Sequence, residues 1–304
     1  MNIQFQNPFS QKGNWYKGNL HAHTTMSDGK KSPGDIVAMY QDGGYDFLAV
    51  TDHNKRTVVD SHTGKMLLIP GEEIDISYNG CYHLVAVNTR EALSLPPEAR
   101  RNVHPKDIIA AVKAKGGDVI LAHPYWSNET LEMTRLCEGV LGVEVYNHVC
   151  HVDAANGHSM AHWDDMLRIG MRMFGFASDD SHHYVVRDMH PLDTQGGWIM
   201  VKTEQCTADA IMAAIRAGNF YASSGPDFKS VVIDGTTVTV ETSPVRSIAF
   251  RTPQWGGARF EGNDGKLITR AVFTVKSADL RCLRVECTDE QGRMAWVNPL
   301  WIVA

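Results

Sequence analysis

The sequence predicts an α/β protein in which a β/α barrel or a doubly wound sheet, residues 1–226, precedes a small antiparallel β-sandwich, residues 227–304. Three observations carry this expectation. Short, continuously apolar runs recur along the first part of the chain. Helical patterns with recognisable boundaries separate them. Past SSGPDF (223–228) the texture changes to alternating strands joined by tight turns.

The apolar runs are FLAV (47–50), MLLIP (66–70), YHLVAV (82–87), VILA (119–122), GVEVY (142–146), FGFA (174–177) and WIMV (198–201). Continuous apolarity, rather than alternation, is the mark of parallel strands buried on both faces. Between them, Ser32-Pro33 opens a helix towards Gly43-Gly44, Pro105 stands near the start of one ending at Gly116-Gly117, and Thr207 precedes ADAIMAAIRA, closed by Gly218. A hydroxyl can accept from the free amides of a first turn, and glycine ends a helix at little steric cost. Regular alternation of strand and helix gives a barrel or a doubly wound sheet. The later runs VVIDGTTVTVE, SIAFRT, LITRAVFTV and LRCLRVECTD, with turns at Asp234-Gly235, Asp264-Gly265 and Gln291-Gly292, read as the sandwich.

Composition narrows the function. A chain of 304 residues, 43% hydrophobic and 21% charged, accommodates one barrel and an appendage, and no run approaches the roughly 18 apolar residues of a membrane span. The start, MNIQFQNPFSQKGNW, lacks a basic and apolar secretory pattern, so a cytoplasmic location is expected. Six cysteines without a CxxC pair argue against a zinc knuckle or a disulfide framework. Cys282 and Cys287, five apart in one expected strand, point to opposite faces and are not expected to bond. A net charge of −6 without a Lys/Arg run speaks against nucleic acid as a partner and for a small-molecule substrate. The late tryptophans Trp255, Trp296 and Trp301 are expected in the sandwich core.

The chemistry sits at the carboxyl ends of the strands, where β/α barrels build their sites. His21 and His23 (NLHAH) are two apart on one strand and project from one face. Asp28 follows in TTMSDG, His53 ends FLAVTDH, Glu73 follows MLLIPGEE, His83 opens YHLVAV, His123 ends VILAHP, and Asp180 and His182 end FGFASDDSH. Each motif alone has a plainer explanation: histidines cap strands, and Asp52 can close a turn. Nine such residues at successive strand ends do not share one. The other histidines (His148, His151, His158, His162, His183, His190) read as surface or satisfied polar groups, and His62 and His104 carry no signal.

Imidazole and carboxylate without thiolate suit zinc, manganese or iron, with zinc and manganese favoured, and two or three divalent ions are expected. Two ions about 3.5–4 Å apart can lower the pKa of a shared water and clamp both oxygens of a displacement. GxSxG, GxxxxGK[ST] and GxGxxG are all absent, so acyl-serine, P-loop and dinucleotide chemistry lose their simplest support. A phosphate ester also needs cationic or hydrogen-bonding groups beyond the metals. Lys55, Arg56 and Arg187, on loops at the active face, and Asn147, at the end of GVEVYN, are the candidates; Glu144 beside Asn147 is expected to support the centre.

The order of motifs, HxH with SDG, then TDH, PGEE, a strand-opening His, AHP and SDDSH, resembles the PHP (polymerase and histidinol phosphatase) family of metal-dependent phosphoesterases over about residues 14–222. The resemblance implies a distorted seven-stranded, TIM-like β/α barrel. It implies one metal among His21, His23, Glu73 and Asp180, with Glu73 bridging to a second metal held by His83 and His123. A third site would use Asp28, His53 and His182; many family members with three metals carry histidine where this chain has Asp28. The family pattern selects Glu73 over Glu72 and Asp180 over Asp179, and makes Glu73, Asp180 and His182 the catalytic residues. The implied activity is hydrolysis of small phosphorylated metabolites or nucleotides by a metal-bridging hydroxide. The sandwich, GNFYASSGPDF and GRMAWVNPLWI resemble a bacterial subgroup that includes carbamate-ester hydrolases, so a carboxylic or carbamate ester is the second expectation. A non-catalytic binding module is the third, and the full set of metal-binding side chains speaks against it.

Overall fold

The computed structural model describes residues 1–59, 66–183 and 192–303. His62, Arg187 and His190 lie outside the described residues. The first half of the chain runs β1 (Asn2–Gln4), β2 (Asn14–Asn19), α1 (Pro33–Asp42), β3 (Phe47–Val50), β4 (Leu67–Ser77), β5 (Cys81–Val87), α2 (Pro105–Ala114) and β6 (Asp118–Leu121). It continues with α3 (Leu131–Arg135), β7 (Gly142–Asn147), α4 (His148–Ala154), α5 (Met160–Arg168), β8 (Phe174–Ser178), β9 (Trp198–Thr203), α6 (Ala208–Ala217) and β10 (Phe220–Ser223). The remainder is strand: β11 (Phe228–Asp234), β12 (Thr237–Val245), β13 (Ser247–Arg251), β14 (Gly257–Glu261), β15 (Ile268–Thr274), β16 (Cys282–Thr288) and β17 (Met294–Val303).

The helix boundaries follow their caps. Ser32 accepts from the Asp35 amide ahead of α1, with Pro33 supplying the preset φ of a first helical residue. Thr207 accepts from the Ala210 amide, and Gly218 closes α6 at φ 80°, a conformation that costs other residues a clash with their own Cβ.

Strands β2 to β8 form a seven-strand run in sequence order. Pairing is parallel from β2 to β4 and from β6 to β8, but β5 runs antiparallel to both β4 and β6. The expectation of uniformly parallel strands is corrected here. Three residues, 78–80, link β4 to β5, far too few for the crossover that a parallel pair requires. The two ends of the run do not form a continuous ladder. They meet just past their strands, through a bridge between Ala22 and Ser181 and through hydrogen bonds from the His23 amide to Ser181 (2.9 Å) and from the Asp180 amide to His21 (2.8 Å). The architecture is therefore a large mixed sheet with a separate three-stranded antiparallel sheet, β11-β12-β15.

The large sheet continues through β9 and β10 into β17, β16, β13 and β14, with Tyr221, Ala222 and Ser223 of β10 paired to Val297, Trp296 and Ala295 of β17. One core, including Phe47, Tyr82, Val143, Trp163 and Phe176, fills the first part. A second, including Phe228, Val240, Phe250, Val285 and Leu300, lies between the three-stranded sheet and the C-terminal end of the large one. Buried Arg284 joins the two parts. It lies 2.6 Å from Asp164 of α5 and 3.4 Å from Glu286, and its guanidinium lies over the Trp163 ring at 4.5 Å, so a charge that would be costly unpaired is balanced by two carboxylates. Trp296 is buried and Trp301 packs against the core, but Trp255 is 61% exposed. Its turn, followed by Gly256 and Gly257 at positive φ, projects beyond the β13–β14 ladder, which corrects the expectation of a core position. All six cysteines are free thiols. No helix among the described residues is long and apolar enough to cross a membrane.

Candidate metal centre

The junction between the ends of the seven-strand run is where the chemistry gathers. His21 and His23 lie just past β2, with Ala22 held to the Thr51 hydroxyl (3.0 Å), so both imidazoles face inward beside Asp180. Glu73 lies on the inward face of β4. Glu72, one residue earlier and therefore on the opposite face, accepts from the Leu93 amide at 2.6 Å. His83 is on β5, while His123 and Asp180 follow β6 and β8 at φ 27° and 54°, left-handed backbone that turns their side chains into the same space.

Four atoms of His21, His23, Glu73 and Asp180 converge. His21 Nε2 is 3.2 Å from both Glu73 Oε2 and Asp180 Oδ1, and His23 Nε2 is 3.1 and 3.0 Å from the same two oxygens. His21 Nε2, His23 Nε2 and Asp180 Oδ1 are buried without a hydrogen bond. Donors about 2.1 Å from a shared ion stand roughly 3.0–3.4 Å apart in octahedral or tetrahedral arrangement, which is the spacing found. The residues therefore fit a divalent cation. The other Glu73 oxygen, Oε1, faces His83 Nδ1 at 3.0 Å and His123 Nε2 at 3.3 Å. Asp28 Oδ2 lies 3.3 Å from His182 Nε2 and 3.7 Å from His53 Nε2, and its Oδ1 lies 3.6 Å from His23 Nδ1. These four residues form a second group able to share an ion, and His53, Glu73, Asp75 and His83 form a third.

Buried partners fix the donors. Glu144 Oε1 is 2.8 Å from His21 Nδ1 and also takes the Ser178 hydroxyl, while Oε2 accepts from the His123 amide at 3.0 Å. With Nδ1 engaged, His21 presents Nε2 to the centre. Asp52 accepts from the Thr24 amide and hydroxyl (both 2.8 Å) and the Ser27 hydroxyl (2.7 Å), shaping the turn that delivers Asp28.

The electrostatics are those of carboxylates neutralised by protons. Burial opposes the charged forms of Glu73 and Asp180, yet the facing imidazoles, His21 foremost, hold both carboxyls well below the usual range. Burial likewise opposes charge on the imidazoles, but the carboxylates prevail: His21 is raised well above its ordinary value, His23 to about 9 and His83 to about 11. Protons here occupy the electrostatic role of cations, and metal uptake must release them.

Above the donors lies a cavity of about 170 Å³ whose remaining wall is Trp126, Val149, Cys150 and Asp153. Among the described residues no lysine or arginine lines it. Lys55 is exposed and does not line it. Arg56 lies in a separate hollow with Val50, Val59 and Leu68, where its charge bears on Glu72. Asn147 is fully buried: its amide donates to Glu144 (2.8 Å) and Asp180 (3.1 Å), and its oxygen accepts from the Cys150 amide to cap α4. It braces Asp180 and is not among the residues lining the cavity. Arg187 lies outside the described residues. Of the remaining histidines, His104 caps α2, His148 contacts Tyr146 and the Leu192 carbonyl, and His162 contacts the Glu129 carbonyl. Asp75, at 2.8 Å from His53 Nδ1, was not singled out from the sequence, although period two along β4 puts it on the face of Glu73.

Neither a family model nor a curated protein matches the sequence. Solved structures do. A two-domain protein from Bacteroides vulgatus containing a predicted PHP-like metal-dependent phosphoesterase superposes with a TM-score of 0.50 at 16% identity, over 95% of this chain and 93% of that one. A proposed metal-dependent phosphoesterase from Bifidobacterium adolescentis (TM-score 0.42, 16% identity, 66% of this chain and 96% of that one) and an amidohydrolase from Chromobacterium violaceum (0.41, 14%, 54% and 87%) are more distant. The resemblance carried by the ordered motifs and the fold carried by the backbone thus agree on one architecture, that of the two-domain, PHP-like protein of Bacteroides vulgatus.

Proposed function

We propose that the chain is a metal-dependent hydrolase of small phosphate esters, its seven-strand run rolled into a distorted barrel that residues 21–23 and 180–181 close. The observation that carries this reading is the convergence of His21 Nε2, His23 Nε2, Glu73 Oε2 and Asp180 Oδ1 at 3.0–3.2 Å, all four residues buried and Glu73 and Asp180 lining a cavity. His21, His23, Glu73 and Asp180 would hold one ion, Glu73 with His83 and His123 a second, and Asp28, His53 and His182 a third. Zinc, manganese or iron ions held there would supply Lewis acidity and lower the pKa of water at the site.

The chain's own groups divide the remaining work. Glu73 serves two groups with separate oxygens, so its charge ties them together. Glu144 and Asn147 orient His21 and Asp180. Trp126 and Val149 offer an apolar wall to the organic part of a substrate and keep water from it. Cys150 lines the cavity, where burial, with the charges of Asp180, Glu144 and Glu73, pushes its thiol far above the usual range and keeps it protonated. Residues 1–226 carry every group named, and 227–304 act as a supporting sandwich.

A second reading, hydrolysis of a carboxylic or carbamate ester, is favoured by the absence of lysine and arginine from the described wall, because a phosphate dianion gains from charge-assisted hydrogen bonds beyond its metals. The experiment is a metal-by-substrate screen after chelation, with zinc, manganese and iron against phosphate monoesters, phosphate diesters, carboxylic esters and carbamates. Turnover confined to phosphate esters supports the first reading. Turnover confined to the other esters replaces it with the second, and metal-independent turnover ends both.

A further inference from the structure

We propose that Asp75 is a positioning residue for the Asp28–His53–His182 group, holding the His53 imidazole so that Nε2 faces Asp28 and His182. The inference rests on the reading that this group takes a third ion.

His53 Nδ1 is 2.8 Å from Asp75 Oδ1, while its Nε2 points to Asp28 Oδ2 at 3.7 Å. A neutral imidazole has one N–H. Spent on Asp75 at Nδ1, it leaves Nε2 as a bare lone pair, the form that binds a metal. Asp75 is itself immobilised. Its second oxygen accepts from Asn54 Nδ2 at 2.7 Å and lies 3.6 Å from the Arg100 guanidinium, and its amide donates to Asn54 Oδ1 at 3.1 Å. Asn54 follows His53 at φ 53°, a left-handed position that asparagine tolerates, and its amide donates to the Glu73 carbonyl at 2.6 Å. The turn carrying His53 is thus clasped to β4 at both Glu73 and Asp75.

Direct ligation is the competing role, because Asp75 also belongs to the group with His53, Glu73 and His83, whose donor atoms lie within 4.8 Å of one another. The geometry favours positioning: at 2.8 Å Asp75 Oδ1 and His53 Nδ1 stand closer than donors sharing an ion do, and although Nδ1 also lies 3.2 Å from Glu73 Oε2, its hydrogen bond is to Asp75, which leaves Nε2 to face Asp28.

The test is a titration of the whole 304-residue chain, metal-depleted, with zinc and, separately, manganese. Calorimetry and elemental analysis compare wild type, Asp75→Asn, Asp75→Ala, His53→Ala and the Asp75→Asn/His53→Ala double variant. Wild type is expected to take three equivalents, one weaker than the others. Asp75→Asn should keep the two tight equivalents and bind the weak one roughly 10–100-fold less tightly, with no further loss when His53 is already alanine. Asparagine keeps the shape, so it carries the test even where alanine fails to fold. Unchanged weak-site affinity in Asp75→Asn, or a loss that adds fully to that of His53→Ala, overturns the proposal. Loss of a tight equivalent makes Asp75 a ligand and overturns it too. A wild type that takes only two equivalents removes the third-ion reading and this inference together, whereas three equivalents with an indifferent Asp75→Asn removes this inference alone.

Discussion

The group His21–His23–Glu73–Asp180 and the group Asp28–His53–His182 are built from the same residue types yet differ in enclosure. Every member of the first is buried, and two carry a buried brace, Glu144 or Asn147. In the second, the side chain of Asp28 is 44% exposed and that of His53 23%; Asp52 acts on the turn that carries Asp28, and Asp75, which bonds His53, is itself partly exposed. Buried donors with fixed partners are preorganised, and their mutual repulsion or attraction is little screened; exposed ones spend binding energy on ordering and compete with water. One constellation thus combines a rigid, buried group with an adjustable, partly exposed one.

The harshest test of that contrast is Glu73→Gln. Removing the charge shared by two groups should cost both buried ions affinity and lower turnover by more than about 100-fold, beyond what loss of an orienting partner costs; elemental analysis beside kcat at saturating metal reads it. Near-normal turnover in Glu73→Gln would erase the distinction between the groups. Asp28→Ala comes next: two equivalents retained and the weakest lost, with loss of all metal showing that the exposed group organises the buried one instead.

A pH series on chelated protein gives a smaller effect and sharpens the contrast. His23 ionises in the folded state at about 9 against an ordinary 6.5, so the stability it contributes is complete below pH 6.5 and lost as pH rises through 9. Glu73 and Asp180 are depressed, so theirs is complete above the ordinary carboxylate range and lost as pH falls. The Tm of the metal-free protein should therefore fall between pH 6.5 and 9, while the metal-loaded protein, whose donors have already shed those protons, should not follow; parallel curves would disprove proton-for-metal exchange. The smallest change expected is Glu72→Gln, which weakens one bond to the Leu93 amide for about 1 kcal/mol on thermal unfolding and leaves metal content alone.

Part of this is legible in the amino-acid sequence. Helix ends at Ser32, Thr207 and Gly218 follow from local chemistry, whereas the choice of Glu73 over Glu72 rests on the family resemblance: period two puts the two on opposite faces without saying which face is inward, and the structure turns Glu72 to the Leu93 amide. The direction of β5 was obscured because a continuously apolar strand looks the same parallel or antiparallel; the evidence lay in the short link, not in the strand. Lys55, Arg56 and Asn147 show another limit. Proximity in sequence to a ligand motif says a side chain is near the site, but which way a loop turns it depends on contacts such as Arg56 with its apolar hollow, set by residues far along the chain. Asp75 shares the face of Glu73 by period two, but its pairing with His53 depends on how the turn after β3 folds back onto β4, which no local pattern shows.

The pairing of β10 with β17 gives the molecule a seam rather than a hinge. A polypeptide stopped near residue 226 would leave one side of β10 with unpaired amides and carbonyls and strip the cover from Tyr221, an invitation to edge-to-edge association. The two halves are thus bound to one another's fate: neither can be excised, swapped for an unrelated module or replaced by a tag without supplying a new strand to finish the sheet.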